Sequence, residues 1–323
     1  MPGVQKVHID KMLTNISIGY KNESYIADQI FLPVTVEKQS DKYFVYGKEL
    51  FRTHDDKRAP GTEAHEITWT LSDDQFYVEG HAIRHAIADE ELQNADDGYQ
   101  LEADGTELVT EAILLNKEVA AANMLLDTAN YASGFSFNMG GGGANPAKWS
   151  DYTNSNPILD IEKARNKMHK QSGIVPNTLI ISRSVYNVLK FHPKLLEIIK
   201  YVERGMVSLE LMKAAFDVDN IVIGSALVSS SMNPGQGDTL GYIWGNSAVL
   251  AYVPKAPGKK QLALGYSFMW NKDGAGAVQV RKWYEMGRRA TIVEAERWYA
   301  HKIISNVAGF LFANAVDPTT IIA

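Results

Sequence analysis

"DGTELVTEAILLNKEVAAANMLLDTANY", residues 104–131, is the stretch on which the fold turns. Leu108, Ala112, Leu115, Val119, Ala122 and Leu126 recur at alternating spacings of four and three, the period of a helix with one apolar face. Asp104, with Glu107 three residues on, has the form of a capping signal for its start. At about 1.5 Å per residue the helix is about 35 to 40 Å long, as long as a small domain is wide. Ile113, Leu114 and Met124 broaden the apolar stripe, so the helix is expected to be covered on more than one side.

Upstream, the texture is extended. Residues 41–92 read as a hairpin, with "DKYFVYGKELF" as one strand and "EITWTLSDDQFYVEGHAI" as a longer second one. Ile67, Trp69 and Leu71 alternate with threonines, as Phe76, Val78 and His81 do less strictly, giving a period of two. The tip, "THDDKRAPGTEAH", is polar, charged and marked by Pro-Gly. Residues 1–40 mix polar stretches with Ile16, Ile18, Tyr20, Tyr25, Ile30, Phe31 and Leu32, in a run that ends at Pro33. A segment this extended has no core of its own, so its aromatic anchors are expected to lie along a partner surface.

Downstream, "MGGGGANPAKW" breaks the pattern, and helices then alternate with strands. "DIEKARNKMHKQSG" reads as a helix ended by Gly173, "TLIISR" as a buried strand, "SVYNVLKFHPKLLEIIKY" as helices interrupted at Pro193, and "SLELMKAAF" as a short helix. "NIVIGSA", "GYIW" and "VLAYV" read as strands. The last part is β-rich: "AVQVRKWYEM" and "GRRATIVEAERWYAHKII" with a turn near Gly287, then "GFLFANAV".

Composition narrows the function. The 323 residues are 45% hydrophobic and 22% charged, an ordinary globular balance. The net charge of −6, from 38 acidic and 32 basic side chains, provides no global field for nucleic acid. With no cysteine there is neither a disulfide nor a thiolate nucleophile. No segment has the apolar run that crosses a bilayer, and "MPGVQKVHIDKMLTN" has no signal-peptide core, so no membrane partner is expected.

Enzyme motifs fail one by one. Gly140 to Gly143 lack the Lys-Ser/Thr of a phosphate loop, and "GQGDTLG" has Leu240 where a dinucleotide fingerprint needs glycine. Trp69 stands where a zinc protease beginning at His65-Glu66 needs its second histidine. His81 and His85 have helical metal-ligand spacing within a strand-like run. The pairs Asp55 and Asp56, Asp73 and Asp74, and Asp96 and Asp97 would form a catalytic site only by converging in a cleft. No catalytic residue, cofactor or metal is assigned, and no enzyme is expected.

The order of elements resembles the major capsid protein of tailed bacteriophages, an α+β fold shared with encapsulin shells. "SIGYKNESYIADQIFLPVTVEKQSDKYFVYGKELFR" is similar to that family's arm and first loop strand, and "TELVTEAILLNKEVAAANML" to its spine helix. "DIEKARNKMHKQSGIVPNTLIISRSVYNVLK" resembles the axial domain, and "RRATIVEAERWYAHKIISNVAGFLF" the strand returning through the peripheral domain.

The resemblance implies an N-terminal arm at 1–40, an extended β-hairpin loop at 41–92, a peripheral domain with the spine helix at 93–156, an axial domain at 157–265, and returning strands at 266–323. It implies self-assembly into hexamers and pentamers of an icosahedral head around double-stranded DNA, bound without sequence specificity. Location in the virion, assembly in the host cytoplasm, and separate scaffolding, portal and cement proteins follow from the same likeness. The alternative within the fold is an encapsulin-like compartment. Intersubunit contacts are expected at Tyr20, Tyr25, Ile30, Phe31, Arg52, Lys57, Arg58 and Trp69. Lys57 lies at the loop tip, where some members of the family carry a cross-linking lysine, but no matching partner is legible beside it.

Overall fold

The structure is a computed structural model. It describes residues 25–317 except 47, 49, 50, 55, 59, 69, 95–99, 144, 200–207, 230–239, 259, 260 and 272–276. Tyr20, Trp69 and most of the arm therefore lie outside the described residues, as does the glycine pair of "GQGDTLG".

The described chain begins with one helical turn, α1 (Ala27–Ile30), and a strand, β1 (Leu32–Val36), that pairs on one side only. Pro33 is no terminator there, because a strand paired on one side can do without one N–H. β2 (Ser40–Tyr46) and β3 (Leu71–Tyr77) make a two-stranded ribbon, and β4 (Glu79–Ala88) follows after one residue. Next come α2 (Asp89–Asn94), the long α3 (Leu101–Leu126) and β5 (Ser136–Asn138).

The mixed region holds α4 (Pro157–Ser172), β6 (Thr178–Ser182), α5 (Arg183–Lys190), α6 (Pro193–Ile199) and α7 (Leu209–Phe216). β7 (Asn220–Gly224), β8 (Leu227–Ser229), β9 (Leu240–Tyr242) and β10 (Ala248–Ala251) follow. The chain closes with β11 (Gly265–Trp270), β12 (Gln279–Glu285), β13 (Ala290–Ile303) and β14 (Gly309–Ala313).

Local chemistry sets the helix ends. Ser182 and Ser208 cap α5 and α7 by accepting hydrogen bonds from the amides of Val185 and Leu211. Gly173 ends α4 in the left-handed region at φ 72°, where its amide reaches back to the His169 carbonyl. Gly173 and Ser208 lie where the sequence predicts an end, whereas α5 starts one residue earlier than read, with its cap inside the expected strand.

Two five-stranded sheets organise the molecule. In one, β13 pairs antiparallel with β4, β11 and β12, and β1 lies parallel to β11. α3 packs on β4 and β13, and Gly105 permits the close approach: a Cβ there would stand 3.2 Å from the His85 ring. In the other, the order is β5-β14-β10-β6-β7, with β6 buried along its whole length. The largest core joins this second sheet to the C-terminal end of α3 and to α1, through Leu125, Trp149, Trp244, Phe310 and Phe312.

α3 differs from the sequence reading in two respects. It starts at Leu101 after Gln100, with no side-chain cap, so Asp104 lies inside the first turn rather than at its head. The buried face is also rotated: it comprises Gly105, Thr106, Val109, Thr110, Ile113, Lys117, Glu118, Ala121, Ala122 and Leu125, whereas Leu108 is 58% exposed. The inward stripe contains polar and charged side chains that find partners inside, and an apolar count passes over them.

The hairpin reading also changes. β4, read as part of the hairpin's second strand, is a full member of the first sheet, pairing with β13 from Glu79 to Ala88. Residues 66–68, expected as strand, have no regular structure, and β3 begins at Leu71.

Candidate intersubunit surfaces

The described residues expected at subunit contacts fall in two regions, the root of the arm and the ribbon with its connection. The root is held by charge inside the subunit. Glu118, fully buried on α3, accepts hydrogen bonds from the amides of Ile26 at 3.0 Å and Ala27 at 2.8 Å, and from the Trp244 indole at 2.7 Å. One carboxylate thus fixes the first turn of the arm root and a loop after β9. Burial pushes the Glu118 carboxyl up, and these three donors oppose that shift.

One residue along, Lys117 is 2% exposed and donates to Asp28 of α1. Burial and the Arg297 guanidinium push the Lys117 ammonium down to about 8, against the pull of Asp28. Burial works against the Asp28 charge, but Lys117 and Arg297 together hold its carboxyl below the ordinary range. Arg297 stands 4.0 Å from Asp28, and His301 lies on the same face of β13, its ring tilted against Phe31 at 5.1 Å and Tyr299 at 5.3 Å. The Tyr25 hydroxyl donates to Glu111, about two turns before Glu118 on α3.

Ile30 and Phe31 are corrected by this geometry. They are 1% and 0% exposed, packed between α3, β11 and β13, so the expected contact with a neighbour is instead a contact within the subunit. Tyr25 is half-buried at the same root.

The ribbon is two-faced, as its register dictates. Asp41 opposite Phe76 and Tyr43 opposite Asp74 lie on one face; Ser40 opposite Tyr77, Lys42 opposite Gln75 and Phe44 opposite Asp73 lie on the other, which continues to Leu71. The first face docks on the subunit's own sheet: Phe76 stacks on Phe268 at 4.3 Å, Tyr43 lies 6.1 Å from the same ring, and Asp74 bridges Lys302 at 3.0 Å. The second leaves Phe44 63%, Leu71 50% and Tyr77 60% exposed, around a Lys42–Asp73 ion pair at 2.5 Å. Arg52, Lys57 and Arg58 lie exposed on the connection beyond it.

Of the acidic pairs, Asp73 and Asp74 do not converge in a cleft, while Asp55, Asp96 and Asp97 lie outside the described residues. Asp73 and Asp74 point to opposite faces of the ribbon and are held by Lys42 and by Tyr43 with Lys302. His81 stacks on Tyr299 at 4.2 Å. Among the described residues no group of three or more His, Asp or Glu could hold a metal ion, and no helix is long and apolar enough to cross a membrane.

The charged clasp and the outer ribbon face escaped the sequence reading. Phe44 and Tyr77 could have been found from strand alternation once the register was known. Lys117 and Glu118 carried no signal, because adjacent charges on a helix are usually solvated.

An α+β subunit with its arm root clasped inside and an apolar ribbon face left outside has the form of a shell component. No family model matches the chain. It is 31% identical over 277 residues to the major capsid protein of Burkholderia phage BcepMu, covering 84% of this chain and 86% of that protein. The crystal structure of a phage-related protein from Bordetella bronchiseptica RB50 matches with a TM-score of 0.73 at 25% identity, covering 96% of this chain and 98% of that one. The capsid of cyanophage P-SCSP1u shares the fold, with a TM-score of 0.59 at 11% identity over 91% of this chain and 89% of that one. The chain belongs to the family of bacteriophage major capsid proteins. Its fold is the α+β fold of tailed-phage capsids.

Proposed function

We propose that this chain forms hexamers and pentamers that close into an icosahedral phage head around double-stranded DNA, assembled in the host cytoplasm with separate scaffolding, portal and cement proteins. The observation that carries this reading is the outer ribbon face: Phe44, Leu71 and Tyr77 stay uncovered by their own subunit although the opposite face is docked. An exposed apolar strand face on a two-stranded ribbon promotes association unless a designated neighbour covers it. A heterologous contact of this kind, repeated around a closing rotation, gives rings.

In this reading the arm before Tyr25, including Tyr20, reaches a neighbouring subunit. Arg52, Lys57, Arg58 and Trp69 then belong to a loop that lies on the next copy. Residues 93–156 and 266–323 serve as the peripheral domain and 157–265 as the axial domain. DNA is enclosed without sequence readout, in keeping with the net charge of −6.

The test is sedimentation velocity and electron microscopy of concentrated protein, with and without scaffolding protein. Rings, tubes or closed shells are expected. A clean monomer at high concentration with scaffold supplied would overturn the reading.

A further inference from the structure

His301 has no role in the assembly described above, yet its setting is unusual. It is 8% exposed, and neither ring nitrogen has a hydrogen-bond partner; the Lys117 backbone is near enough to act electrostatically without reaching hydrogen-bond geometry. Its ring is packed between Phe31 of the arm root and Tyr299 of its own strand. The charged groups around it are Lys117 from α3, Asp28 from α1 and Arg297 from β13. Glu118 is committed to the amides of Ile26 and Ala27 and to Trp244. From β11, the residue opposite is Ser267, and from β4, His81 stacks on Tyr299. Two cations and one carboxylate therefore already share the pocket into which the imidazole is wedged.

We propose that His301 is an acid-operated release for the arm root: a proton on the imidazole puts a third cation beside Lys117 and Arg297 against Asp28 alone, and Ile26–Phe31 withdraws from between α3 and β13. Burial, with Lys117, pushes the imidazole down to about 4, so the clasp is closed at neutral pH. The arm root is the part that yields because α1 is a single turn of four residues and Asp28 is half exposed, whereas Lys117 and Arg297 lie within a 26-residue helix and the central strand. The neutral ring packs at a tilt against Phe31, and the charged ring requires water that this packing excludes. The release is a property of the subunit; its consequence for a shell rests on the proposal that the arm reaches a neighbour.

The experiment uses the full chain, whose lack of cysteine allows single labels. A fluorophore is attached to Gln29→Cys on the exposed side of α1, and in a second protein to Asn166→Cys on α4 as a control. Anisotropy is followed from pH 7 to pH 4. The expected result is a reversible fall at position 29 toward the value of a free peptide, with position 166 unchanged, and loss of that fall in His301→Phe, which keeps the ring contact without a proton site. His301→Gln serves if the phenylalanine variant does not fold.

A simultaneous fall at both positions would mean global acid unfolding, persistence of the fall in the His301 variants would assign it to another group, and no fall would remove the device; each overturns the proposal. Particles acidified in parallel separate the two readings. If subunits release the arm root while particles stay intact, the arm's role in the shell fails and the release stands.

Discussion

The arm root and the ribbon are both extended segments near the start of the chain, and both read in sequence as pieces in search of a partner. Their partners differ in kind. The root, Tyr25 to Phe31, finds its partner in its own subunit and spends two carboxylates, a lysine and an arginine on the join. The ribbon divides itself by strand alternation, with Phe76 and Tyr43 inward on Phe268 and Phe44, Leu71 and Tyr77 outward. Apolar content alone does not distinguish an internal strap from an external one. What distinguishes them is whether the backbone donors of the segment are met inside, as Glu118 meets those of Ile26 and Ala27.

The largest effect that tests this contrast is at Glu118. Glu118→Ala leaves three buried donors without an acceptor, at a cost to subunit stability of about 3–5 kcal/mol. Denaturant unfolding measures it, and Glu118→Gln is expected to recover part of the loss. A change below about 1 kcal/mol would mean that the root is not clasped by charge and is as free as the outer ribbon.

The two regions also differ in how their lysines respond to pH. Lys117 titrates at about 8 in the folded chain and near 10.4 when unfolded, so between these values the unfolded state binds more protons and stability rises with pH. The gain across the window is about 3 kcal/mol, and Lys117→Met is expected to abolish it. Lys42 on the ribbon is raised by its hydrogen bond and charge pairing with Asp73 but is solvated, so Lys42→Met leaves the alkaline profile of the wild type in place. A profile that stays flat from pH 8 to 10 in the wild type would break the distinction.

Much of this was legible in the sequence. The existence of α3, the Gly173 end of α4, the start of α7, the buried strand β6 and the turn near Gly287 follow from periodicity, apolar runs and glycine. The face of α3 was not legible, because its inward stripe carries Thr106, Thr110, Lys117 and Glu118, and the partners of Lys117 and Glu118 lie 89 to 126 residues away. The site was legible only as a region. Tyr25 lies at the clasp, whereas Ile30 and Phe31 are core residues, and the residues that hold the arm root are charges that local pattern cannot pair.

Leu108 and Val109 reduce that difference to two adjacent positions. Val109→Ala removes buried methyl groups between α3, Ile87 and Val293 and is expected to cost about 1–2 kcal/mol. Leu108→Ala, at a position 58% exposed, is expected to change subunit stability by less than about 0.5 kcal/mol. Equal costs at the two positions would restore the apolar face read from spacing alone.

The smallest effect on the subunit falls on the ribbon's outer face, where the largest effect on assembly is expected. Phe44→Ser, Leu71→Ser and Tyr77→Ser each remove an exposed side chain, so the melting temperature of the free subunit hardly moves. If a neighbour covers this face, each side chain contributes about 1–2 kcal/mol of apolar burial to the contact, since part of its surface is already hidden in the free subunit. The contribution recurs at every equivalent contact, so the concentration at which particles appear rises at least several-fold for one substitution and more steeply for all three. The inner face supplies the control: Phe76→Ser breaks the stack on Phe268 and lowers subunit stability itself, so its assembly defect arrives together with a lower melting temperature. Light scattering against protein concentration, beside thermal melts of unassembled subunits, separates the two outcomes. Normal assembly of the triple outer-face variant would show that the ribbon's exposed side is ordinary solvated surface and would remove the observation on which the shell reading chiefly rests.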